Sequence, residues 1–263
     1  MDRLNLLKNI SEVNGIPGFE SEVRELIKGY VGGKCEVETD NLGSLVCRIV
    51  GASDGPKIMI PAHMDEIGFM VHVITEEGFI KFIPLGGWWD QVLLGQRVQI
   101  RTSQGLVSGV IGSKPPHILK DEDKNKVVKK DTMFIDVGAS SKKQVMEEFH
   151  IRPGDPIFPV SQFEVLGSGR VVAGKAWDDR AGCAALIELL DRLENQSHPN
   201  TLYAVATVQE EVGLRGARTS THVVKPDIGI ALDVGIAGDV PGVTPEEIPL
   251  KLGAGPGMYV ADG

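Results

Sequence analysis

The chain has 263 residues, of which 42% are hydrophobic and 24% are charged, and its 32 Gly and 15 Pro imply many turns. This composition is typical of a folded protein with one large domain or two smaller ones, and it excludes the disordered and fibrous classes. The 36 acidic residues outnumber the 27 basic ones and give a net charge of −9, which argues against nucleic acid as a partner.

No apolar run approaches the roughly 18–20 residues that a membrane-spanning helix needs, so no membrane association is expected. The first residues are too polar for a signal peptide, and a cytoplasmic location is therefore predicted. The three cysteines are widely spaced and form no CxxC pair, which is typical of small buried residues: Cys35, Cys47 and Cys183.

The first part of the chain alternates helices and strands. Apolar residues at helical spacing predict helices over Leu4–Val13 and Ser21–Tyr30. Strands are predicted next, at Cys35–Glu38, Ser44–Val50 and Lys57–Pro61. The third strand is apolar on both faces beyond its first residue and leads to His63, and chemistry often lies where a buried strand of an α/β sheet ends.

A different pattern follows from residue 67 to about residue 166. Short strand-like pieces alternate with Gly and Asp, at Phe69–Ile74, Phe79–Ile83, Arg97–Arg101 and Leu106–Ile111. A helix is predicted only near the end, over Ser141–Phe149, and Lys120–Lys130 is a charged loop. These residues predict a small β domain.

Alternation of helices and strands returns after residue 170. The long helix Asp179–Leu193 carries an apolar stripe, and Gly182 in its first turn allows close packing. Further elements are predicted at Leu202–Val208, Gly213–Ser220 and Ile228–Leu232. The predicted fold is α/β, with a mixed, mostly parallel sheet flanked by helices over residues 1–66 and 167–263 and an inserted small β domain over residues 67–166.

Polar clusters follow the ends of three predicted strands and begin the long helix. They are His63-Met64-Asp65, Trp177-Asp178-Asp179-Arg180, Gln209-Glu210-Glu211 and Leu232-Asp233-Val234. The carboxyl ends of strands in an open α/β sheet converge on one crevice, where so many carboxylates would repel one another. A pair of divalent metal ions between them is the simplest resolution.

Each cluster also has an ordinary structural interpretation. A lone His63 is more often a plain histidine than a ligand, but Asp65 lies two residues on, on the same face of an extended segment. One of Asp178 and Asp179 is expected to cap the helix, which leaves the other for metal. Asp233 could simply begin a turn before Gly235.

The pair Glu210 and Glu211 could be a charged turn. However, both residues end a run of Val, Ala and Thr, and adjacent side chains at a strand end diverge. One glutamate can then bind metal while the other faces the substrate water, a division that metal-assisted hydrolysis requires.

Four segments together resemble the dinuclear metallo-aminopeptidases of the glutamyl aminopeptidase and tetrahedral aminopeptidase family: PAHMDEIGFM, KAWDDRAGCAALIELL, ATVQEEVGLRGA and ALDVG. The similarity extends from near residue 4 to the last residue, with the motifs in the family's order. It implies an enzyme that hydrolyses N-terminal residues from short peptides through a metal-activated water. It also implies that the β insertion is a dimerisation domain, from which larger homo-oligomeric particles are built.

The resemblance also implies a role for each site residue. His63 would be a terminal ligand of one metal, Asp178 would bridge both metals, and Asp233 would complete the first site. Glu211 would bind the second metal and Glu210 would be the general base. By ligand type, the two ions are expected to be Zn or Co.

Two further features are implied by the same resemblance. Asp65 would orient the ring of His63, and the peptide bond between Asp178 and Asp179 is expected to be cis. Family members also carry another histidine near the C-terminus as the remaining ligand of the second metal, and the sequence reaches Gly263 without it. The chain is therefore expected to be a fragment or a truncated product that lacks the family's C-terminal segment, or to build its second site differently. If 263 residues is the native length, a weakened second site and poor activity are expected.

Two alternatives to an active aminopeptidase follow. One is a catalytically impaired or dead homologue that acts only as an assembly or binding protein. The other is a Mg-dependent phosphoryl-transfer enzyme that uses the same acids. Against the second stand the lack of a GxxxxGK[ST] phosphate loop and the poor fit of His63 to Mg²⁺.

Overall fold

A computed structural model of the chain describes residues 2–259, with Asp123 described by its backbone alone. The described α-helices are α1 (Arg3–Glu12), α2 (Ser21–Val31), α3 (Lys142–Glu147), α4 (Trp177–Leu193) and α5 (Arg215–Val224). Short 3-10 turns lie at Asp90–Val92, Pro116–Ile118, Asp121–Asp123 and Lys130–Thr132. No described helix combines the length and the apolar character needed to cross a membrane.

Five described strands form a mixed sheet: β1 (Glu36–Thr39), β2 (Leu45–Ile49), β3 (Ile58–His63), β12 (Leu202–Thr207) and β13 (Ile228–Gly229). Their order is β1-β2-β12-β3-β13. The pairings of β2 with β1 and β12 are antiparallel, whereas those of β3 with β12 and β13 are parallel. The α/β class is confirmed, but a mostly parallel sheet is not, because β1 and β2 are joined by a short turn that permits only antiparallel pairing.

The two faces of the sheet bury different side chains of the same strands, as the two-residue period of a strand requires. Leu45, Cys47 and Ala204 pack with the apolar sides of α1, α2 and α4. Val46 and Val205 lie on the opposite face and pack with Val224 of α5. Helices therefore cover both faces, and the carboxyl ends of β3, β12 and β13 remain at one edge.

The register of the parallel strands sets where the site lies. Thr207, the last residue of β12, is paired with His63, the last residue of β3. Beyond β13 the chain continues along β3, because Ile230 N donates to Met59 O and Leu232 N donates to Pro61 O, each at 2.9 Å. Residues that follow β12 and β13 therefore lie beside His63, at the carboxyl end of β3.

Six other strands form a closed antiparallel barrel in the order β4-β5-β8-β7-β6-β9. They are β4 (Gly68–Ile74), β5 (Ile80–Leu85), β6 (Arg97–Thr102), β7 (Gly105–Gly112), β8 (Phe134–Asp136) and β9 (Pro156–Pro159). Aliphatic and aromatic side chains fill its interior, among them Phe69, Ile100 and Ile157. The barrel lies within residues 67–166, and the division of the chain into domains at these limits stays a prediction. A two-stranded ribbon, β10 (Glu164–Val165) and β11 (Val172–Ala173), follows it.

The helix after β12 differs in its bounds from the sequence prediction. It begins at Arg215 rather than Gly213, because Gly213 and Leu214 both have positive φ angles, of 120° and 57°, which no α-helix contains. The helix then continues to Val224, four residues beyond the predicted end.

Candidate metal centre

The structure brings five of the six predicted site residues together at the carboxyl edge of the sheet. Two groups of donor atoms share one histidine: His63 with Glu210 and Glu211, and His63 with Asp178 and Asp233. Within each group the donor atoms all lie within 4.8 Å of one another. Such spacing permits a single cation to be shared by each group.

His63 is the buried centre of this cluster. Its Nε2 lies 2.8 Å from Asp178 Oδ1 and 3.8 Å from Glu210 Oε2. Its Nδ1 lies 2.9 Å from the backbone carbonyl oxygen of Asp65, and because a carbonyl only accepts, Nδ1 carries the hydrogen. Nε2 is therefore the nitrogen available to a metal.

Asp65 orients the ring in a different way from the one predicted. Its backbone carbonyl makes the hydrogen bond, while its carboxylate oxygen Oδ1 lies 3.6 Å from His63 Nδ1. The fully buried carboxylate accepts hydrogen bonds from the backbone amides of Glu210 and Glu211, each at 3.0 Å. Asp65 thus contacts both the histidine and the glutamate pair.

Asp178 and Asp179 differ in what their side chains contact: one caps a helix and the other faces His63. The peptide bond that joins them is cis, as the resemblance implied. Asp179 is buried, and it accepts hydrogen bonds from the amides of His63 and Gly182, each at 3.0 Å. It caps the first turn of α4 and ties this helix to β3. The side chain of Asp178 is 59% exposed and points to the histidine, so it is the one available to metal.

Glu210 and Glu211 lie in a turn that begins at Gln209, a residue with a positive φ of 54°. Both glutamates are partly buried, whereas Asp233 beyond β13 is exposed and accepts a hydrogen bond from the amide of Val234. The turn lets the two glutamate side chains reach the cluster from the same side of the sheet.

The electrostatics of the cluster favour a cation. Burial raises the pKa of Glu211 to about 7, and the charge of Asp178 adds to this effect. Burial likewise raises the pKa of Glu210, with Asp65, Asp233 and Asp178 as further causes. Burial lowers the pKa of His63, but its contacts with Asp178 and Asp65 raise it to about 11. Carboxylates that hinder one another's ionisation, around one imidazole nitrogen, fit a divalent metal.

The other five histidines belong to neither group within residues 2–259: His72, His117, His150, His198 and His222.

A buried ion cluster supports the site and was missed by sequence reasoning. Lys175 Nζ lies 2.6 Å from Glu66 Oε1, and Arg180 Nη2 lies 3.7 Å from the same oxygen. The fully buried Arg180 also donates to the backbone carbonyls of Met64 and Ile10. The cluster joins the segment after β3 to the start of α4. Its sequence signal is that Glu66 follows Asp65, and that Lys175 and Arg180 flank the aspartate pair.

A cleft of about 440 Å³ opens beside the donor cluster, between the sheet and the barrel. Asp178 and Glu211 form one wall, and Trp88 of the barrel forms part of the other. The indole of Trp88 is fixed by stacking on Phe69 at 4.7 Å and by donation from its Nε1 to Gly68 O at 3.0 Å. A concave space lined by a few convergent polar groups is a candidate ligand-binding site.

The sequence profile of M42 glutamyl aminopeptidase matches residues 43–263 of this chain, and a profile described as AMPT matches residues 2–26. The chain belongs to the M42 glutamyl aminopeptidase family. It is therefore a metallo-aminopeptidase, which confirms the enzyme class predicted from the motifs.

Three relatives illustrate the similarity. FrvX of Escherichia coli K12 is 45% identical over 98% of this chain and 72% of its own length. The glutamyl aminopeptidase of Lactococcus lactis subsp. cremoris MG1363 is 37% identical over 92% of this chain and 69% of its own length. The lysyl aminopeptidase of Pyrococcus furiosus is 36% identical over 97% of this chain and 72% of its own length.

Solved structures agree with this membership. The TET aminopeptidase from Thaumarchaeota archaeon SCGC AB-539-E09 superposes with a TM-score of 0.93 and 49% identity, over 96% of this chain and 71% of that one. The TET1 peptidase of Pyrococcus horikoshii superposes with a TM-score of 0.81 and 33% identity, over 91% of this chain and 72% of that one. The α/β fold of the family is thus the fold of this chain.

Proposed function

We propose that this protein is a two-metal aminopeptidase that removes N-terminal residues from short peptides. His63, Asp178 and Asp233 would hold one ion, and Asp178 and Glu211 would hold the other. Glu210 would stay unbound as the general base. The group of His63, Asp178 and Asp233 carries this proposal, because its donor atoms lie within 4.8 Å of one another. The group of His63, Glu210 and Glu211, with the same spacing, brings the proposed ligand of the second ion and the proposed base to the same histidine.

The ligand types suit zinc or cobalt, since imidazole and carboxylate together favour these ions over Mg²⁺. When bound, the ions would supply Lewis-acid polarisation of the scissile carbonyl and would acidify water. The second site would be the weaker one, because the first ion would take His63 and leave carboxylates to the second among the grouped residues.

Glu210 would perform the proton transfers. Its carboxylate would take a proton from the attacking water and pass it to the leaving amine. Its raised pKa suits this task, because a base works best when its pKa approaches the working pH. The amides of Glu210 and Glu211, held by Asp65, would keep the two side chains in their separate roles.

The substrate would be a peptide with a free amino terminus. Its first residue would lie in the cleft beside Asp178 and Glu211, where acidic side chains attract an ammonium group. The relatives are named for glutamyl and for lysyl residues at nearly equal identity to this chain, so similarity alone selects no side chain.

The test is the variant Glu210→Gln, loaded with Zn²⁺ or Co²⁺ and assayed with unblocked aminoacyl anilides. Glutamine has the shape of glutamate but accepts no proton, so turnover should fall by about 10²–10⁴-fold while the bound metal content is unchanged. Glu38→Gln, in the exposed strand β1, is the control. Retained turnover in Glu210→Gln would remove this residue from the base role. Metal binding without turnover in the wild type would favour the impaired homologue instead.

The barrel would form the dimer contact. It exposes apolar side chains, among them Leu106 (48%) and Val110 (45%). The TET1 peptidase of P. horikoshii, a relative of this chain, can assemble into a tetrahedron or a large octahedral shell. Val110→Lys should therefore lower the mass measured by light scattering, whereas Val50→Lys, 54% exposed beside the sheet, should not. Equal masses for both variants would contradict the assignment.

A further inference from the structure

Glu20 is a buried carboxylate that the proposed mechanism does not use. It ends the loop between α1 and α2, and only 4% of the residue is exposed. Although it precedes α2 directly, its side chain makes no capping hydrogen bond to that helix. Instead its Oε1 accepts from the amide of Gly18 at 2.8 Å and from the amide of Gln209 at 3.0 Å. The second contact joins residues 189 positions apart.

The contact with Gln209 completes a pattern in the glutamate turn. Three successive amides of this turn are held by two buried carboxylates, since Glu20 binds that of Gln209 while Asp65 binds those of Glu210 and Glu211. The turn lies beyond the last residue of β12, so no strand partner restrains these amides. The carbonyl oxygens of Gln209 and Glu210 accept from the amides of residues 213–215 on the other side of the turn. The three amide bonds are therefore what ties the turn to the segments that carry Glu20 and Asp65.

No ion pair explains the burial of Glu20. In the part of the chain that the structure describes, no Lys, Arg or His lies within ion-pair distance of it, and the negative charge of Asp65 is near enough to act on it. Burying a carboxyl group is costly unless hydrogen bonds compensate for it, and the side chain of Glu20 bonds to the backbone amides of Gly18 and Gln209.

We propose that Glu20 is a positioning residue of the active site, which aims Glu210 and Glu211 by holding the amide of Gln209. The inference rests on the proposed roles of the two glutamates. It adds a residue from the N-terminal loop to a site otherwise built at the carboxyl edge of the sheet. The contact acts through the backbone of the turn, so it requires an acceptor oxygen at this position and no negative charge.

The test compares Glu20→Ala with Glu20→Gln. Glutamine keeps an acceptor oxygen of the same reach and should preserve the bond, whereas alanine removes it. Glu25→Ala, which removes an exposed acid from α2, is the matched control. Two measurements are independent of turnover: hydrogen exchange of the amides of residues 209–211 in metal-free protein, and Co²⁺ titration followed by the visible absorption of the bound ion.

In Glu20→Ala these amides should exchange about tenfold faster or more, because a local bond that protects them is lost. Co²⁺ should bind about 10–100-fold more weakly with an altered visible spectrum, the usual cost of removing a group that orients ligands. In turnover, kcat should fall while KM changes little. Glu20→Gln and Glu25→Ala should match the wild type in every measurement.

Two results would overturn the proposal. One is wild-type exchange and wild-type Co²⁺ binding in Glu20→Ala. The other is a loss in Glu20→Gln as large as in Glu20→Ala, since the acceptor oxygen would then not be the property that matters. Failure of the proposed function is distinguishable from both: it would appear as absent turnover in the wild type, and the exchange comparison would still decide the role of Glu20.

Discussion

The substitution Gly182→Ala should damage both the stability of the protein and its metal site. Gly182 lies in the first turn of α4, and a Cβ added there would lie 2.5 Å from Asp179 Oδ2. Ordinary contact begins at 3.4 Å, so the carboxylate would have to retreat by about 1 Å. Because that carboxylate accepts from the amides of His63 and Gly182, its retreat would weaken both bonds.

The magnitude follows from one favourable contribution to the free energy of folding and two unfavourable ones. Alanine in place of glycine in a helix favours folding by about 1 kcal/mol. Overpacking a buried site costs about 1–3 kcal/mol. Weakening the hydrogen bonds of a buried carboxylate costs about 1.5–3 kcal/mol more. The net destabilisation should therefore be about 1.5–5 kcal/mol.

Urea unfolding of the metal-free protein measures this free energy, and Gly29→Ala provides the matched control. Gly29 lies in α2, and an added Cβ there would meet no atom within 4 Å. Gly29→Ala should stabilise the protein by up to about 1 kcal/mol. If Gly182→Ala were as stable as the wild type, or more stable, the close approach of Asp179 to the helix would not exist and the prediction would be wrong.

Two further substitutions test the walls of the site. Gly86→Ala should weaken Co²⁺ binding, because Gly86 has a φ of 88° and an added Cβ would lie 3.1 Å from Glu211 Oε2. A Co²⁺ titration measures this affinity, and an unchanged affinity would contradict the contact. Gly87→Ala, which meets no atom within 4 Å, should bind Co²⁺ normally. Lys175→Met should lower the free energy of unfolding in urea by about 3 kcal/mol. The reason is that Glu66 stays buried but loses Lys175 Nζ, which lies 2.6 Å from its Oε1. A loss below about 1 kcal/mol would show that this ion pair contributes little to stability.

Residues of the candidate site could be predicted where they follow a local pattern. His63 comes at the end of an apolar run, and Glu210 and Glu211 follow another such run. The parallel pairing of β3 with β12 then brings these run ends together, as expected for neighbouring parallel strands. A strand end is visible in a sequence because the change from apolar to polar residues is local.

Contacts between distant segments could not be predicted in the same way. The bond from Gln209 N to Glu20 depends on how a loop near the N-terminus packs, and neither residue lies in a periodic pattern. The carboxylate of Asp65 lies 3.6 Å from the ring of His63, but it also accepts hydrogen bonds from two backbone amides of a turn 145 and 146 positions away, which the sequence did not indicate. Amides beyond a strand end must find acceptors, and a sequence does not indicate which acceptor is nearest.

The antiparallel half of the sheet was missed for a related reason. The apolar pattern over residues 44–50 indicates a buried strand but carries no direction. The direction follows from the short turn at Asp40, whose carboxylate accepts from the amides of Gly43 and Ser44 and reverses the chain. A hairpin there makes β1 and β2 antiparallel, and β2 also pairs antiparallel with β12 on its other side.

Anomalous diffraction at the zinc absorption edge, from crystals of the Zn²⁺-loaded protein, would locate the ions that the proposed function requires. One anomalous peak is predicted within about 2.3 Å of His63 Nε2, with Asp178 and Asp233 as its other ligands. A second peak, of lower occupancy, is predicted between Asp178 and Glu211. Anomalous peaks at other places in the protein, with none beside His63 and its neighbouring carboxylates, would contradict a metal centre at this edge of the sheet.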